Sequence, residues 1–185
     1  MKIVLCGRAG SGKSAIAKAL AEKFNLKHYS TGDLMRQIAM EKGYTIEAFS
    51  HVTPEEIDRE VDERTAKIGR MENNFIFDSR LAFHFIPDAI KIFLDVSYEE
   101  GAKRIFLKPR VSEAKAETIE QLAERNKVRW ETDRERYIKI YKIDLNNREN
   151  YDAYIDTTKL TREEVLCEVE RIISTLRKTQ ASNSI

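Results

Sequence analysis

The segment Gly7-Arg8-Ala9-Gly10-Ser11-Gly12-Lys13-Ser14 constrains this chain more than any other, because it satisfies G-x-x-x-x-G-K-[ST] at every fixed position. It follows the apolar run Ile3-Val4-Leu5-Cys6 and precedes an amphipathic helical stretch, so the order strand, glycine-rich loop, helix is expected. The glycines let the backbone curl until successive N–H groups point at phosphate oxygens, and the helix beginning near Lys13 adds the positive end of its dipole. Lys13 then reaches the β- and γ-phosphates, and the Ser14 hydroxyl can ligate Mg²⁺. A bare glycine turn between strand and helix would require neither the lysine nor the serine. The eight residues from Gly7 to Ser14 are therefore read as a cradle for a nucleoside triphosphate.

With 185 residues the chain can bury one good core, and a single domain with a small insertion is expected. Its 32 Lys and Arg against 31 Asp and Glu leave a net charge of +1, so no global field points to nucleic acid or a membrane surface. Any anion site must be local. Cys6 and Cys167 have no metal-ligand spacing, and each is read as a small buried hydrophobe in a reducing compartment. The chain opens directly on a strand, with no leader-like segment and no apolar run near the ~20 residues of a membrane span. A cytoplasmic protein, most simply a monomer, is the expectation.

Strand-like runs at Lys2 to Cys6, Lys27 to Ser30, Asn74 to Phe77, Ile90 to Val96 and Tyr151 to Asp156 alternate with helical segments. Such alternation predicts an α/β fold with a five-stranded parallel sheet covered by helices. Thr53-Pro54-Glu55-Glu56 reads as an N-cap with proline at the first helical position, and Ser97-x-x-Glu100 and Thr161-x-x-Glu164 read as capping boxes. In the last helix Val165, Leu166, Val169, Ile172, Ile173 and Leu176 form one core-facing stripe, beyond which the tail from Lys178 is expected to fray.

Two segments exceed a minimal layout. From about residue 31 to 69, two or three helices precede the third strand. There Ser30-Thr31-Gly32-Asp33-Leu34-Met35-Arg36 puts Arg36 on a helix at the sheet edge where ligands bind, as either a phosphate ligand or an ordinary solvated arginine. The second segment, Arg104 to Asp144, interleaves basic residues, Arg110 among them, with acidic ones such as Glu113 and Glu117. Most of these charges solvate a helix. Arg129, Asp133 and Arg136, at i, i+4 and i+7, share one face, as a lid over transferring phosphates requires. Between the two segments the strand Phe75-Ile76-Phe77 ends in Asp78, a candidate Mg²⁺ carboxylate or a turn residue, and Arg80 emerges at the same edge. Phe83-His84-Phe85 and Pro87 read as a packed turn; His28 and His51 have no evident partners.

Gly7 to Ser14, Ser30 to Arg36 and Asp78-Ser79-Arg80 together resemble the nucleoside monophosphate kinases, built on the P-loop NTPase fold. Within them the chain is similar to the compact archaeal type of cytidylate kinases. Ser79-Arg80-Leu81-Ala82 resembles that family's Gly-Arg-Leu-Ala, Arg134-Glu135-Arg136-Tyr137 with Tyr141-Lys142-Ile143-Asp144 resembles its lid, and Tyr151 to Thr158 resembles its last strand. The resemblance implies a single domain over residues 1–185, with an acceptor-binding insertion at about 31–69 and a helical lid at about 108–144. It implies ATP and Mg²⁺ as cofactors and CMP or dCMP as acceptor. Gly7 to Ser14 would hold ATP, with Ser14 and Asp78 as metal ligands. Thr31, Arg36, Arg80 and Asp133 would bind the acceptor, and Lys13, Arg129 and Arg136 would act in catalysis. Ser79 in place of glycine and Glu135 in place of a basic residue depart from the pattern.

Adenylate kinase shares the loop and the Ser-Thr-Gly-Asp start, but Asp78-Ser79-Arg80 lacks its Asp-Gly-Phe-Pro-Arg. A polynucleotide kinase would need a basic or aromatic strand-binding track, and none is evident. A nucleotide-dependent switch is the alternative from another class. Asn126-Lys127-Val128-Arg129 superficially resembles a guanine-specificity motif, but it lacks the aspartate and lies in a helical segment.

Overall fold

Ile3, Val4, Leu5 and Cys6 are all fully buried because β1 (Lys2–Gly7) runs through the middle of the sheet with helices on both faces. Side chains alternate across a strand, so Ile3 and Leu5 enter one apolar cluster while Val4 and Cys6 enter another. The computed structural model describes residues 1–43, 54–108 and 118–182. In chain order, α1 (Lys13–Phe24), β2 (Lys27–Ser30), α2 (Thr31–Glu41) and α3 (Pro54–Met71) follow β1. Then come β3 (Phe75–Asp78), α4 (Ala82–Phe85), β4 (Ile90–Asp95), α5 (Tyr98–Leu107) and α6 (Ile119–Tyr141). A short 3-10 turn (Arg148–Asn150), β5 (Ala153–Asp156) and α7 (Arg162–Ser182) complete the fold.

All five strands are parallel, in the order β2-β3-β1-β4-β5. One face is covered by α1, through Ile16, Ala17 and Leu20, and by α7, through Val165, Val169 and Ile173. Phe83, Leu34 and Trp130 bring α4, α2 and α6 onto the other, beside Phe75, Phe77 and Phe93. Emptying either layer, by Leu5→Ala or Phe77→Ala, removes a fully buried side chain at a typical cost of about 2–5 kcal/mol. Ile38, Ile57 and Val61 form a third cluster that fastens α2 to α3. After β3 the chain crosses β1 to β4, so the strand order reverses at β1. The carboxyl ends of β1, β3 and β4 bound the crevice where open α/β sheets bind ligands.

The elements differ from the sequence reading in ways that have local causes. Asn74 sits at φ 60, so β3 begins one residue late, at Phe75. Tyr151 and Asp152 fall outside β5, because Tyr151 closes the 3-10 turn and the Asp152 carboxylate accepts from the Lys91 N–H. Phe83-His84-Phe85 is a single helical turn, and α7 continues through Ser182 instead of fraying at Lys178. Cys6 is buried as expected, but Cys167 is exposed on α7, away from the stripe that includes Val165 and Val169. The expected cap at Thr53, together with His51, Arg110, Glu113 and Glu117, lies outside the described residues, as do parts of the 31–69 and 108–144 segments. Among the described residues no helix is long and apolar enough to cross a membrane.

Candidate active site

The loop after β1 keeps its shape because three of its glycines occupy left-handed backbone. Gly7 and Gly10, at φ +138 and +82, also meet neighbours so closely that no side chain fits. A Cβ on Gly7 would stand 1.9 Å from the Leu94 carbonyl oxygen, and one on Gly10 would stand 2.3 Å from that of Gly101 in α5. Gly12 adopts φ +88 as the cap of α1, and its carbonyl accepts from the Ala15 and Ile16 N–H groups at 3.0 Å. The first turn of α1 therefore opens into the loop, with Lys13 as its first residue.

Beside the loop, the Ser14 hydroxyl donates to Oδ2 of Asp78, and Lys13 Nζ stands 3.9 Å from Oδ1 of the same carboxylate. The strand register explains the meeting, since Asp78 ends β3 opposite Leu5 of β1. A hydroxyl and a carboxylate in contact form a hard oxygen pair suited to Mg²⁺. Ser79 follows, and its hydroxyl accepts from the Leu81 and Ala82 N–H groups at 3.1 and 3.0 Å. Ser79 thus holds the backbone that leads into the short α4.

Arg80, Asp133 and Arg136 meet although β3 and α6 are far apart in sequence. Arg80 donates to Asp133 Oδ2 at 2.6 Å and Arg136 to Oδ1 at 3.0 Å. A further carboxylate, Asp58 of α3, accepts from Arg136, whose guanidinium also lies 5.0 Å from the Tyr137 ring centre. Burial pulls Arg80 below the usual arginine value; Asp133 opposes this, while the nearby charges of Arg129 and Arg136 add to it. Arg80 and Arg136 therefore share the Asp133 carboxylate, and the Arg129 charge is near enough to act on Arg80. The Nε atoms of Arg80 and Arg136 are buried with no hydrogen-bond partner among the described residues. Arg129 is exposed on α6. Such a corner suits an anion carrying more charge than one aspartate.

The other candidates lie around this corner. Arg36 is exposed and pairs with Asp33, one turn back on α2. Asp33 is held below the usual carboxylate range chiefly by the Ser30 hydroxyl, with Arg36 adding to the effect. Thr31 opens α2 with its Oγ1 buried and without a partner among the described residues, and Ser11 Oγ in the loop is in the same position. The Arg8 side chain reaches the end of β4 and the helices α5 and α6. Its guanidinium is 3.1 Å from Asp95, 4.8 Å from the Tyr98 ring centre and 5.6 Å from that of Trp130. Arg8 thereby links the loop to α5 and α6, while its backbone remains in the loop. Sequence reasoning did not reach Asp58, whose contact with Arg136 spans 78 residues and leaves no local spacing to read.

The AAA domain family model matches residues 6–139. The chain is 36% identical to a cytidylate kinase of Archaeoglobus fulgidus over 173 residues, 90% of this chain and 91% of that protein. It is likewise 36% identical to a cytidylate kinase of Pyrococcus horikoshii over 94% of this chain and 88% of that one. All of it aligns, at 37% identity, with an S-adenosylmethionine-dependent nucleotide dehydratase of Lacinutrix mariniflava, of whose length it spans 37%. Among solved structures, a shikimate kinase from Bacteroides thetaiotaomicron shares the fold at a TM-score of 0.65 and 17% identity, over 96% of this chain and 98% of that one.

Proposed function

The chain belongs to the cytidylate kinase family, built on the AAA-type P-loop domain, and from that premise we propose that it transfers the γ-phosphoryl group of ATP to CMP or dCMP. The observation that carries this reading is the pairing of Arg80 and Arg136 with Asp133, with the Arg129 charge felt at Arg80, in a fold whose P-loop ends at Lys13 and Ser14. One anion site serves the donor and another the acceptor, as a two-substrate phosphoryl transfer requires.

In this reading the loop backbone from Gly7 to Ser14 cradles the ATP phosphates, and Lys13 neutralises charge at the β–γ bridge. Ser14 and Asp78 would hold Mg²⁺, which would supply positive charge to offset that of the phosphates. Arg80 and Arg36 take the acceptor phosphate. An oxygen of that phosphate attacks the γ-phosphorus while the bond to the β–γ bridging oxygen breaks, giving a nucleoside diphosphate and ADP. Arg129 and Arg136 meet the charge that spreads over the equatorial oxygens. Asp133 keeps two of the arginines aligned before substrate arrives, then accepts from the acceptor's sugar. No general base is assigned, because an ionised phosphate is already nucleophilic.

We read residues 1–185 as one domain, with 31–69 closing over the acceptor and 108–144 acting as the lid that excludes water. It works as a cytoplasmic monomer on small nucleotides. A coupled ADP-release assay with ATP and each of CMP, dCMP, UMP and AMP tests the proposal. Highest kcat/KM with CMP or dCMP is expected. Highest kcat/KM with AMP would replace it by the adenylate kinase reading, and ATP hydrolysis indifferent to every acceptor by a nucleotide switch.

A further inference from the structure

We propose that the cavity between α3 and α6 receives the acceptor's pyrimidine and that Asp62 reads the N3 and amino edge of cytosine, an inference that rests on the phosphoryl-transfer reading above. The cavity has a volume of about 600 Å³ and is walled by Asp58, Asp62 and Arg70 of α3, Phe85 of α4, and Ile140 and Tyr141 of α6. That is the scale of a site for a small organic ligand. It adjoins the arginine corner directly, because Asp58 both lines the cavity and accepts from Arg136, which shares Asp133 with Arg80. A monophosphate held at Arg80 therefore has room for its base on the Asp62 side.

The walls match a flat ring with one polar edge. Phe85 and Tyr141 stand edge to face, with ring centres 5.7 Å apart, and offer apolar surface. The Tyr141 hydroxyl donates to Asp62 Oδ2, while Oδ1 has no hydrogen-bond partner among the described residues. This contact sets the polarity of the carboxyl group. Oδ2 is fixed as an acceptor, so when the group is neutral its proton sits on Oδ1. Cytosine presents an acceptor at N3 beside an amino donor, and uracil presents the reverse pattern. A neutral Asp62 thus donates from Oδ1 to N3 and accepts the amino N–H at Oδ2. Uracil in the same pose sets donor against donor and acceptor against acceptor, so the polar groups of base and carboxyl lose their partners.

The surroundings favour that neutral form. Burial, reinforced by the Asp58 charge, pushes Asp62 up to about 6, against the opposing effects of the Tyr141 hydroxyl and Arg136. Arg59, Glu63 and Arg70 face the same cavity from α3. From α4, His84 touches the Tyr141 ring, and burial lowers it below the ordinary histidine value.

The test measures kcat/KM for CMP and UMP between pH 5 and 8.5 in the wild type, Asp62→Asn, Asp62→Ala and Tyr141→Phe. The wild-type CMP:UMP ratio should fall as pH rises through the titration of Asp62. Asp62→Asn, whose amide reproduces donor and acceptor under Tyr141, should keep a high ratio that no longer varies with pH. Asp62→Ala should lose tenfold or more for CMP, mainly through KM, with ATP KM unchanged, and Tyr141→Phe should relax the ratio by freeing the carboxyl to reverse. An unchanged CMP:UMP ratio in folded Asp62→Ala, in an enzyme that still phosphorylates CMP, overturns the base-reading role alone. A wild type that phosphorylates no monophosphate, or prefers AMP, removes the premise and the inference with it.

Discussion

Arg80 and Asp133 are 53 residues apart in the chain and 2.6 Å apart in space, a contact that ties the carboxyl end of β3 to the middle of α6. Because Asp133 also accepts from Arg136, one carboxylate holds two guanidiniums side by side.

Arg80→Ala and Arg36→Ala should each raise the acceptor KM by roughly tenfold or more while leaving ATP KM within about twofold, since charge-assisted contacts to one phosphate are removed. Initial-rate kinetics with each substrate varied in turn provide the check. Equal effects on both substrates would show that the two anion sites are misassigned.

Lys13→Ala should lower kcat on the order of 10²-fold or more, as loss of a charge-stabilising group at a phosphoryl site commonly does. Lys13 is a partly exposed cation facing Asp78, so the circular dichroism spectrum and cooperative melting should be retained. Near-normal turnover by the folded variant would refute the loop assignment.

Arg129 and Arg136 should separate in stability while agreeing in kinetics. Arg129→Ala and Arg136→Ala are each expected to reduce kcat by about tenfold or more with ATP affinity nearly constant, because their contacts form in the closed complex. Arg129 is exposed, so its replacement should shift stability by no more than about 0.5 kcal/mol. Arg136→Ala strands the half-buried Asp58 and should cost about 1 kcal/mol or more in a urea melt. Unchanged kcat in both variants would return α6 to the role of an ordinary charged helix.

Asp62 also predicts how stability depends on pH. Its folded value of about 6 lies above that of an unfolded carboxylate, so its favourable contribution is complete below about pH 4 and lost as pH rises through 6. Asp62→Asn, which does not titrate, should gain on the wild type by about 1–2 kcal/mol between pH 4 and 7, less than the full shift implies because water screens the partly exposed carboxyl. Parallel urea midpoints across that range would contradict the raised value.

Much of the frame was legible because its signals are local. The loop motif, the strand runs and the α7 stripe each declare themselves within a few residues, and the parallel sheet follows from their alternation. Capping was less uniform. Thr161 and Glu164 complete their reciprocal bonds, but Glu100 is drawn to Arg104, so the Ser97 box is only half formed. The true start of α6, a closed box between Thr118 and Gln121, is concealed in a charged stretch that reads as continuously helical. The helical face of Arg129, Asp133 and Arg136 was readable from spacing, but its partners were not. Asp58 and Asp62 reach α6 across 78 and 79 residues, and Arg8 reaches Asp95 only once β1 and β4 lie side by side.

Trp130, the sole tryptophan in the chain, packs against Phe93 and has the Arg8 guanidinium 5.6 Å from its ring centre. The indole thus lies within the electrostatic reach of the residue that follows Gly7 in the loop, on the helix that carries Arg129 and Asp133. A displacement of Arg8 would alter the field across the chromophore. On the proposed function, a label-free emission titration with a non-hydrolysable ATP analogue should therefore report filling of the loop without any turnover.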